Sequence, residues 1–183
     1  MFEVPIHIID FEGSHQSGVV EFGFVTLQGG DLVNSQTRIC APVGTIADVD
    51  RLQHGISEGL AASEALFEVE WPLFAGLREA GPFCAHNASV EDGFLRAVWP
   101  CPRRSPNFAE EEQLAANWGP WLDTLHLYRR IYPQLESHKL HSLIEVFGLQ
   151  EKLDLQSSVV CPLQRRRYHC ALYDALAYDS PRR

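Results

Sequence analysis

The stretch Pro5-Ile6-His7-Ile8-Ile9-Asp10-Phe11-Glu12-Gly13 decides how the chain folds. A short apolar run leads to Asp10, steps over one residue to Glu12 and stops at a glycine. Because successive side chains of a strand point to opposite faces, the two carboxylates lie on the same face. Two adjacent buried carboxylates repel each other and lose hydration, so they need a cation, and a divalent metal meets that need. The alternative is that the strand ends at Ile9 and both acids are solvated loop residues.

The composition indicates one globular domain over residues 1–183. Of the 183 residues, 45% are hydrophobic and 21% are charged, which is typical of a protein with a packed core. We expect no membrane association, because no apolar run approaches the ~20 residues that span a bilayer and no secretory signal pattern opens the sequence. The five cysteines are scattered and odd in number, which disfavours a disulfide framework and predicts a cytoplasmic location.

The net charge of −9 argues against a protein that binds nucleic acid through an overall positive charge. It does not exclude a nuclease, because bound metal ions reverse the sign of the charge around a carboxylate cluster. Basic residues occur in three local groups, each more typical of a solvated surface than of a phosphate site. These groups are Arg103-Arg104, Arg129-Arg130 and Arg165-Arg166-Arg167.

The order of the predicted elements indicates a mixed sheet with helices on both faces. Strands at 6–11, 18–27 and 32–41, joined by short turns, predict an antiparallel meander. A short buried strand at 82–85 and helices at 63–78, 90–99, 123–132, 138–147 and 169–178 follow. The segments 42–57, 102–119 and 149–163 are predicted to be loops or connections.

Two acids follow His86-Asn87, and helical geometry separates their roles. Glu91 shares a stripe with apolar residues that face the core, namely Phe94, Leu95 and Val98. Asp92 lies four residues before Arg96, a spacing typical of an ion pair on a solvated face. A glutamate on an inward stripe needs a partner. We therefore predict that Glu91 is the functional acid and that Asp92 is a surface residue.

The last predicted helix carries a further acid, Asp174. Small residues surround it in sequence, and they allow close packing of the helix on a sheet, so Asp174 is expected to face inward. His169 precedes it by five residues, at the predicted start of the helix. A lone histidine is usually structural, but one beside an inward aspartate and after three arginines is a better candidate for proton transfer near a phosphate.

Three blocks of the sequence together resemble the motifs of the DEDDh-type 3′–5′ exonucleases, a family similar to the polymerase III epsilon subunit and RNase T. The resemblance implies an α/β, ribonuclease H-like fold with a mixed five-stranded sheet, in which parallel strands follow the meander. The chain departs from the family at Glu91, where an aspartate is usual, and at Val90, where an aromatic residue is usual. The blocks are Ile9-Asp10-Phe11-Glu12-Gly13, His86-Asn87-Ala88-Ser89-Val90-Glu91-Asp92-Gly93-Phe94-Leu95 and His169-Cys170-Ala171-Leu172-Tyr173-Asp174-Ala175.

The resemblance also implies a mechanism with two Mg²⁺ or Mn²⁺ ions. In that mechanism Asp10, Glu12 and Asp174 bind one ion, Asp10 bridges to the second, and Glu91 holds the second ion directly or through water. His169 accepts the proton of the attacking water, so these five residues form the expected catalytic set. The product is a nucleoside 5′-monophosphate.

The substrate contacts implied by the resemblance are the backbone of Phe11 and Gly13 together with the loop that begins at His54. Ile56 in that loop is expected to pack on a base, whereas an ordinary contact between loop and core is the alternative. Asn87 and Arg167 complete the expected substrate-binding set, the arginine through phosphate contacts.

The expected partner is the 3′ end of DNA or RNA, as a single-stranded end. The sequence leaves the choice between DNA and RNA open. It also leaves the oligomeric state open, with a homodimer as one possibility. The main alternative function is a nucleic-acid-binding or scaffold module that keeps the fold without turnover. A second alternative, an endonuclease of the wider ribonuclease H-like group, is disfavoured by the block from His169 to Asp174.

Overall fold

A mixed five-stranded sheet forms the centre of the fold in a computed structural model, which describes residues 4–100 and 103–177. The strand order is β3-β2-β1-β4-β7, antiparallel among the first three strands and parallel from β1 through β4 to β7. A separate ribbon pairs β5 with β6. The predicted α/β fold class and five-stranded mixed sheet are thus confirmed. The strands are β1 (Ile6–Ser14), β2 (Gly18–Gln28), β3 (Asp31–Ile39), β4 (Phe83–Ala85), β5 (Ser105–Pro106), β6 (Leu114–Ala115) and β7 (Trp121–Asp123).

Helices cover both faces of the sheet. Those in the first half of the chain are α1 (Asp48–His54), α2 (Glu58–Ala61), α3 (Trp71–Ala80) and α4 (Ala88–Val98), with a 3-10 helix at Phe67–Glu70. Those in the second half are α5 (Thr124–Ile131), α6 (Leu140–Phe147), α7 (Gln150–Val160) and α8 (Ala171–Leu176), with a 3-10 helix at Leu163–Arg165. Within the described ranges, no helix is long and apolar enough to cross a membrane.

Alternate residues of β1 pack against two different layers. Ile9 and Phe11 lie in the core cluster that contains aromatic residues of α3 and the β4–α4 region. Ile8 lies in the other cluster, which contains the buried residues of α8. Asp10 and Glu12 continue the series of Ile8, so they point towards the layer of α8. The two-sided burial of β1 therefore fixes which helix the carboxylates meet.

One helix prediction and two loop predictions are wrong. The helix expected over 63–78 is a 3-10 turn followed by α3, because Pro72 sits in the first turn of α3, where its missing N–H is tolerated, rather than kinking a longer helix. The expected loop 42–57 contains α1. The expected connection 149–163 contains α7, which buries Leu153 and Ser157 against the protein.

Other helix boundaries differ from the predicted ones, because the backbone conformation at the helix start was not evident from the side-chain pattern. Helix α4 begins at Ala88 after Asn87, which has a left-handed backbone (φ 70°), so Ser89 is inside the helix and is not its cap. Helix α8 begins at Ala171, so His169 precedes it and is not helical. The fifth strand, β7, lies in a segment for which no strand was predicted. The predicted end of the last helix beyond residue 177 lies outside the described residues.

Candidate active site

Asp10 and Glu12 lie inside β1 and are not loop residues. Glu12 is buried and Asp10 is half-buried. The register of β1 on β2 shifts between Glu12 and Gly13, a β-bulge after which Gly13 and Ser14 are still paired with β2. Gly13 has φ +144°, and a Cβ atom there would lie 2.1 Å from the carbonyl oxygen of Gly18. A glycine is therefore required where the strand passes the two acids.

Glu91 points into the protein from α4, as its helix stripe predicts. It is 4% exposed, and its Oε2 atom has no hydrogen-bond partner. Its neighbour Asp92 accepts hydrogen bonds from Arg96 Nη1 at 3.2 Å and from Trp121 Nε1 at 3.1 Å. The expected pairing of Asp92 with Arg96 is present, and Glu91 is the acid without a protein partner for its second oxygen.

Asp174 and His169 meet at the start of α8. The backbone N–H of His169 donates to Asp174 Oδ2 at 2.9 Å, whereas Asp174 Oδ1 is buried without a partner. His169 has φ 58°, and this left-handed bend places its exposed ring next to the carboxylate. Ligand atoms of Glu12, His169 and Asp174 lie within 4.8 Å of one another. The ring Nδ1 lies 3.0 Å from the side-chain amide nitrogen of Gln53.

The acids of the site have raised pKa values. Burial raises the pKa of Glu12 to about 8, and the charges of Asp174 and Glu21 add to this shift. Burial likewise raises the pKa of Glu91 to about 8 and that of Asp174 to about 7. Burial and the neighbouring acids place the pKa of Asp10 well above its usual range. The oxygen-rich, repelling cluster with two orphaned oxygens therefore fits divalent cations, which would replace the bound protons.

A buried ion pair that sequence reasoning missed supports the site. Arg165 Nε donates to Glu21 Oε1 at 2.8 Å, and Arg165 Nη1 donates to the carbonyl oxygen of His54 at 2.6 Å. The N–H of Ala171 donates to Glu21 Oε2 at 2.9 Å. Glu21 faces Glu12 in the β1–β2 register. The pair thus joins β2, the C-terminal end of α1 and the start of α8 around the acid cluster.

The predicted substrate-binding residues are not all accessible. Ile56 is fully buried against Val20, Ile46 and Ala61, so the expectation that it packs on a base is wrong and the alternative of a contact with the core holds. His54 is also buried, and its Nδ1 accepts a hydrogen bond from the N–H of Ile56 at 3.0 Å.

Three further members of that set lie around the acid cluster. The Phe11 side chain is buried in the aromatic core, which leaves its backbone as the part near the site. Asn87 lies in the cleft that also contains His169 and Asp174. Gly13 follows the acids at the end of β1.

The three consecutive arginines all donate hydrogen bonds to groups of the protein itself. Arg165 is buried against Glu21, and Arg166 donates to the carbonyl oxygens of Cys161 and Ser158. Arg167 is exposed and donates to the carbonyl oxygen of His54 at 3.1 Å. Arg165 therefore has its own carboxylate partner inside the protein, whereas the phosphate contact predicted for Arg167 stays a prediction.

This sheet, with its cluster of acids and an adjacent histidine, resembles the DEDDh-type exonucleases on a ribonuclease H-like fold, and structural comparison confirms that resemblance. The structure of exonuclease X in complex with 5′-overhanging duplex DNA has a TM-score of 0.62 and 26% identity, covering 93% of this chain and 87% of that chain. Exonuclease I shares the fold with a TM-score of 0.70 and 15% identity, covering 96% of this chain and 39% of that chain.

Sequence comparison finds similarity to PolC-type DNA polymerases III. No family model matches the chain. The PolC-type DNA polymerase III of Thermotoga maritima is 27% identical over 147 residues, which cover 78% of this chain and 10% of that protein. The PolC-type enzyme of Streptococcus thermophilus is 32% identical over 112 residues, or 58% of this chain and 6% of that protein. The chain thus spans a tenth or less of the length of these relatives.

Proposed function

We propose that the chain is a single-domain 3′–5′ exonuclease that removes nucleotides from the 3′ end of DNA or RNA with two Mg²⁺ or Mn²⁺ ions. The observation that carries the proposal is the pair of orphaned carboxylate oxygens, Glu91 Oε2 and Asp174 Oδ1, buried at the acid cluster. Buried oxygens without partners are unfavourable, and hard divalent cations are ligands that suit them.

Asp10, Glu12, Glu91 and Asp174 are the residues that would hold the ions. When bound, the ions activate a water molecule and stabilise the leaving 3′ oxygen of an in-line displacement at phosphorus. The four side chains offer only oxygen donors, which favours Mg²⁺ or Mn²⁺ over softer metals. The raised pKa values of Glu12 and Glu91, both about 8, support the proposal because burial disfavours their charged forms, and repulsion from Asp174 adds to the shift of Glu12 when no cation is bound.

His169 accepts the proton of the attacking water in this mechanism. Burial lowers the pKa of His169, and the charges of Arg167 and His141 lower it further, so the ring is neutral at pH 7. Gln53 contacts Nδ1, which leaves Nε2 for the water. For Nε2 to accept a proton, Nδ1 must carry one and donate it to the Gln53 amide oxygen, which a rotation of that amide provides. The bond between phosphorus and the 3′ oxygen of the preceding nucleotide breaks, and a nucleoside 5′-monophosphate leaves.

An apolar groove beside the acids is the proposed site of the 3′-terminal base. It begins at Ser14, directly after the end of the acid-bearing segment, and continues along Val90, Gly93 and Phe94 on α4. Its volume is about 620 Å³. We call it the terminal-base groove, and it takes the role that the buried Ile56 cannot have.

The substrate class has support from the relatives of known structure. Exonuclease X was solved with duplex DNA that has a 5′ overhang, and exonuclease I with a dT13 oligonucleotide. A single-stranded 3′ end is the proposed substrate here. A cytoplasmic location is part of the proposal, supported by the four described cysteines, which are free and buried. A homodimer stays a prediction from the sequence alone.

The experiment that tests the function is digestion of 5′-labelled oligonucleotides, with a circular strand as the control for endonuclease activity. We expect a ladder that shortens from the 3′ end with Mg²⁺ or Mn²⁺, no products in EDTA, and an intact circle. Asp10→Asn and Asp174→Asn should abolish the ladder, whereas Asp92→Asn should not. Binding without hydrolysis by the wild type would favour the scaffold alternative, and a cut circle would favour an endonuclease.

The role of His169 needs a separate measurement, because its ring could instead be a metal ligand. His169→Ala should lower the rate by about 10²–10⁴-fold, as expected for loss of a general base. Calorimetry should show Mn²⁺ affinity unchanged. Loss of Mn²⁺ affinity in this variant would identify the histidine as a ligand and reject its role as the base.

A further inference from the structure

A cleft with a cationic wall extends from His169 and shares no lining residue with the terminal-base groove. It lies between the start of α4, helix α5, the α5–α6 connection and the segment before α8, with a volume of about 810 Å³. Its positively charged or titratable wall residues include Arg129, Lys139 and His141. His169 and Asp174 line the same cleft, so it is continuous with the candidate active site. We call it the cationic cleft.

The cations of this cleft are available to a ligand. Arg129 and Lys139 are both exposed, and within residues 4–100 and 103–177 neither forms an ion pair with an acid. This contrasts with Arg165, whose guanidinium is buried against Glu21. One exposed acid, Glu136, also lines the cleft. The other acid of the lining is Asp174, which is buried and would hold a cation, so Arg129 and Lys139 share the cleft with one exposed carboxylate.

The terminal-base groove and the cationic cleft differ in the charges that line them. The terminal-base groove is lined by apolar and small residues together with His15 and Glu68, and no Lys or Arg belongs to its lining among the described residues. A strand of nucleic acid with its terminal base in that groove has its scissile phosphate at the acids. Its next phosphates then need positive charge, and the cationic cleft is the adjoining surface that supplies it.

We propose that the cationic cleft binds the phosphates of the strand 5′ to the scissile bond, through Arg129 and Lys139. The inference rests on the proposed exonuclease function and deepens it, because it assigns the path of the substrate. Because Lys and Arg contact phosphates and not bases, this interaction is independent of sequence. It also makes affinity depend on the number of nucleotides in the single strand.

The test uses the Arg129→Gln/Lys139→Gln double variant, with Arg130→Gln as the matched control. Arg130 is exposed on the same helix and does not line the cleft. Binding of fluorescein-labelled dT12 and rU12 is measured by anisotropy in EDTA, so that the readout does not depend on hydrolysis. We expect the double variant to bind at least tenfold more weakly and the control to bind as the wild type does. The slope of log affinity against log salt should become shallower by about 1.4, or ~0.7 for each phosphate of a single strand that the variant no longer neutralises.

A kinetic arm separates this path from the catalytic centre. The dinucleotide dTpdT contains only the scissile phosphate, so the double variant should lose at least tenfold more kcat/KM on dT12 than on dTpdT. Equal losses on both substrates, or unchanged binding and salt slope, would overturn the proposal. Failure of the wild type to hydrolyse either substrate would reject the exonuclease function, while the binding arm would still decide the path.

Discussion

Glu12 and Glu21 face each other in the β1–β2 register, yet we expect their neutralisation to change stability in opposite directions. Both are buried, with exposed fractions of 7% and 1%. Glu12 is surrounded by other acids, whereas Glu21 is held by Arg165. The test is the pair of isosteric variants Glu12→Gln and Glu21→Gln in the metal-free protein.

The magnitude for Glu12 follows from its pKa. Burial and the nearby acids raise the pKa of Glu12 from 4.5 to about 8, so the folded protein holds a proton that the unfolded chain releases. Stability therefore falls as the pH rises from 4.5 towards 8. At pH 7 the unfavourable contribution is about 3 kcal/mol, since one pKa unit corresponds to ~1.4 kcal/mol. Glu12→Gln removes it, and at pH 5 the gain should shrink to about 1 kcal/mol.

The magnitude for Glu21 follows from the partner that it would leave behind. Glu21→Gln deprives the buried guanidinium of Arg165 of its carboxylate, and breaking a buried pair from one side costs about 3–5 kcal/mol. The substitution should also loosen the start of α8, because Glu21 accepts the N–H of Ala171.

The assay is urea unfolding in EDTA at pH 5 and pH 7, followed by the same measurement with Mn²⁺. At pH 7 we expect Glu12→Gln to be the most stable of the three proteins, the wild type to be intermediate and Glu21→Gln to be the least stable. Saturating Mn²⁺ should stabilise the wild type more than Glu12→Gln, because the variant lacks one ligand charge. A Glu12→Gln variant no more stable than the wild type at pH 7 in EDTA would refute the electrostatic account of the cluster.

Three further outcomes test individual residues. Glu91→Gln should raise the Mn²⁺ concentration for half-maximal activity at least tenfold. Asp92→Asn, on the same helix, is the control and should leave that concentration unchanged. Equal effects of the two substitutions would show that the wrong acid was assigned to the metal site. Gly93→Leu should raise KM for oligonucleotides several-fold by filling the terminal-base groove, because Gly93 lines that groove and a Cβ atom there would have nothing within 4 Å. Gly76→Leu, also in an open helical position, is its control and should leave KM unchanged. Gln53→Met should lower kcat about three- to tenfold, because the catalytic histidine loses one hydrogen bond. Gln53→Glu keeps an acceptor at this position and should restore kcat. An altered Mn²⁺ affinity in either variant would instead indicate a structural role for Gln53.

The sequence was sufficient where local periodicity decides the geometry. Asp10 and Glu12 are two residues apart in a strand, so their common face follows from the pleat alone. Glu91 lies on the apolar stripe of a helix, and its 4% exposure agrees with that prediction. In each case the neighbours in sequence determine which way the side chain points.

The sequence was insufficient where the partner is remote. Arg165 and Glu21 are 144 positions apart, and an arginine among three looks like a surface group until the fold pairs it. Ile56 is predicted to pack on a base of the substrate. Its burial, however, depends on contacts with residues of β2 and of the segment before α1, which are remote in sequence. The segment of helix α7 is predicted to be a connection. Its serines and valines have a weak preference for helix, and the packing of Leu153 overrides that preference.

The two faces of β1 explain how the protein keeps repelling acids close together. The Phe11 ring lies 5.3 Å from the ring of Phe67 and 5.6 Å from that of Phe74, so the strand is anchored on one face by aromatic packing. Because side chains alternate, this anchoring fixes Asp10 and Glu12 on the other face whatever their mutual repulsion. The acids therefore cannot relax apart by local movement of the strand, and neutralisation by protons or cations is the remaining way to lower their energy. The affinity of the acids for cations on one face of β1 therefore depends on the rigid aromatic packing on its other face. Substitutions in the aromatic cluster that loosen β1 should weaken Mn²⁺ binding although they change no metal ligand.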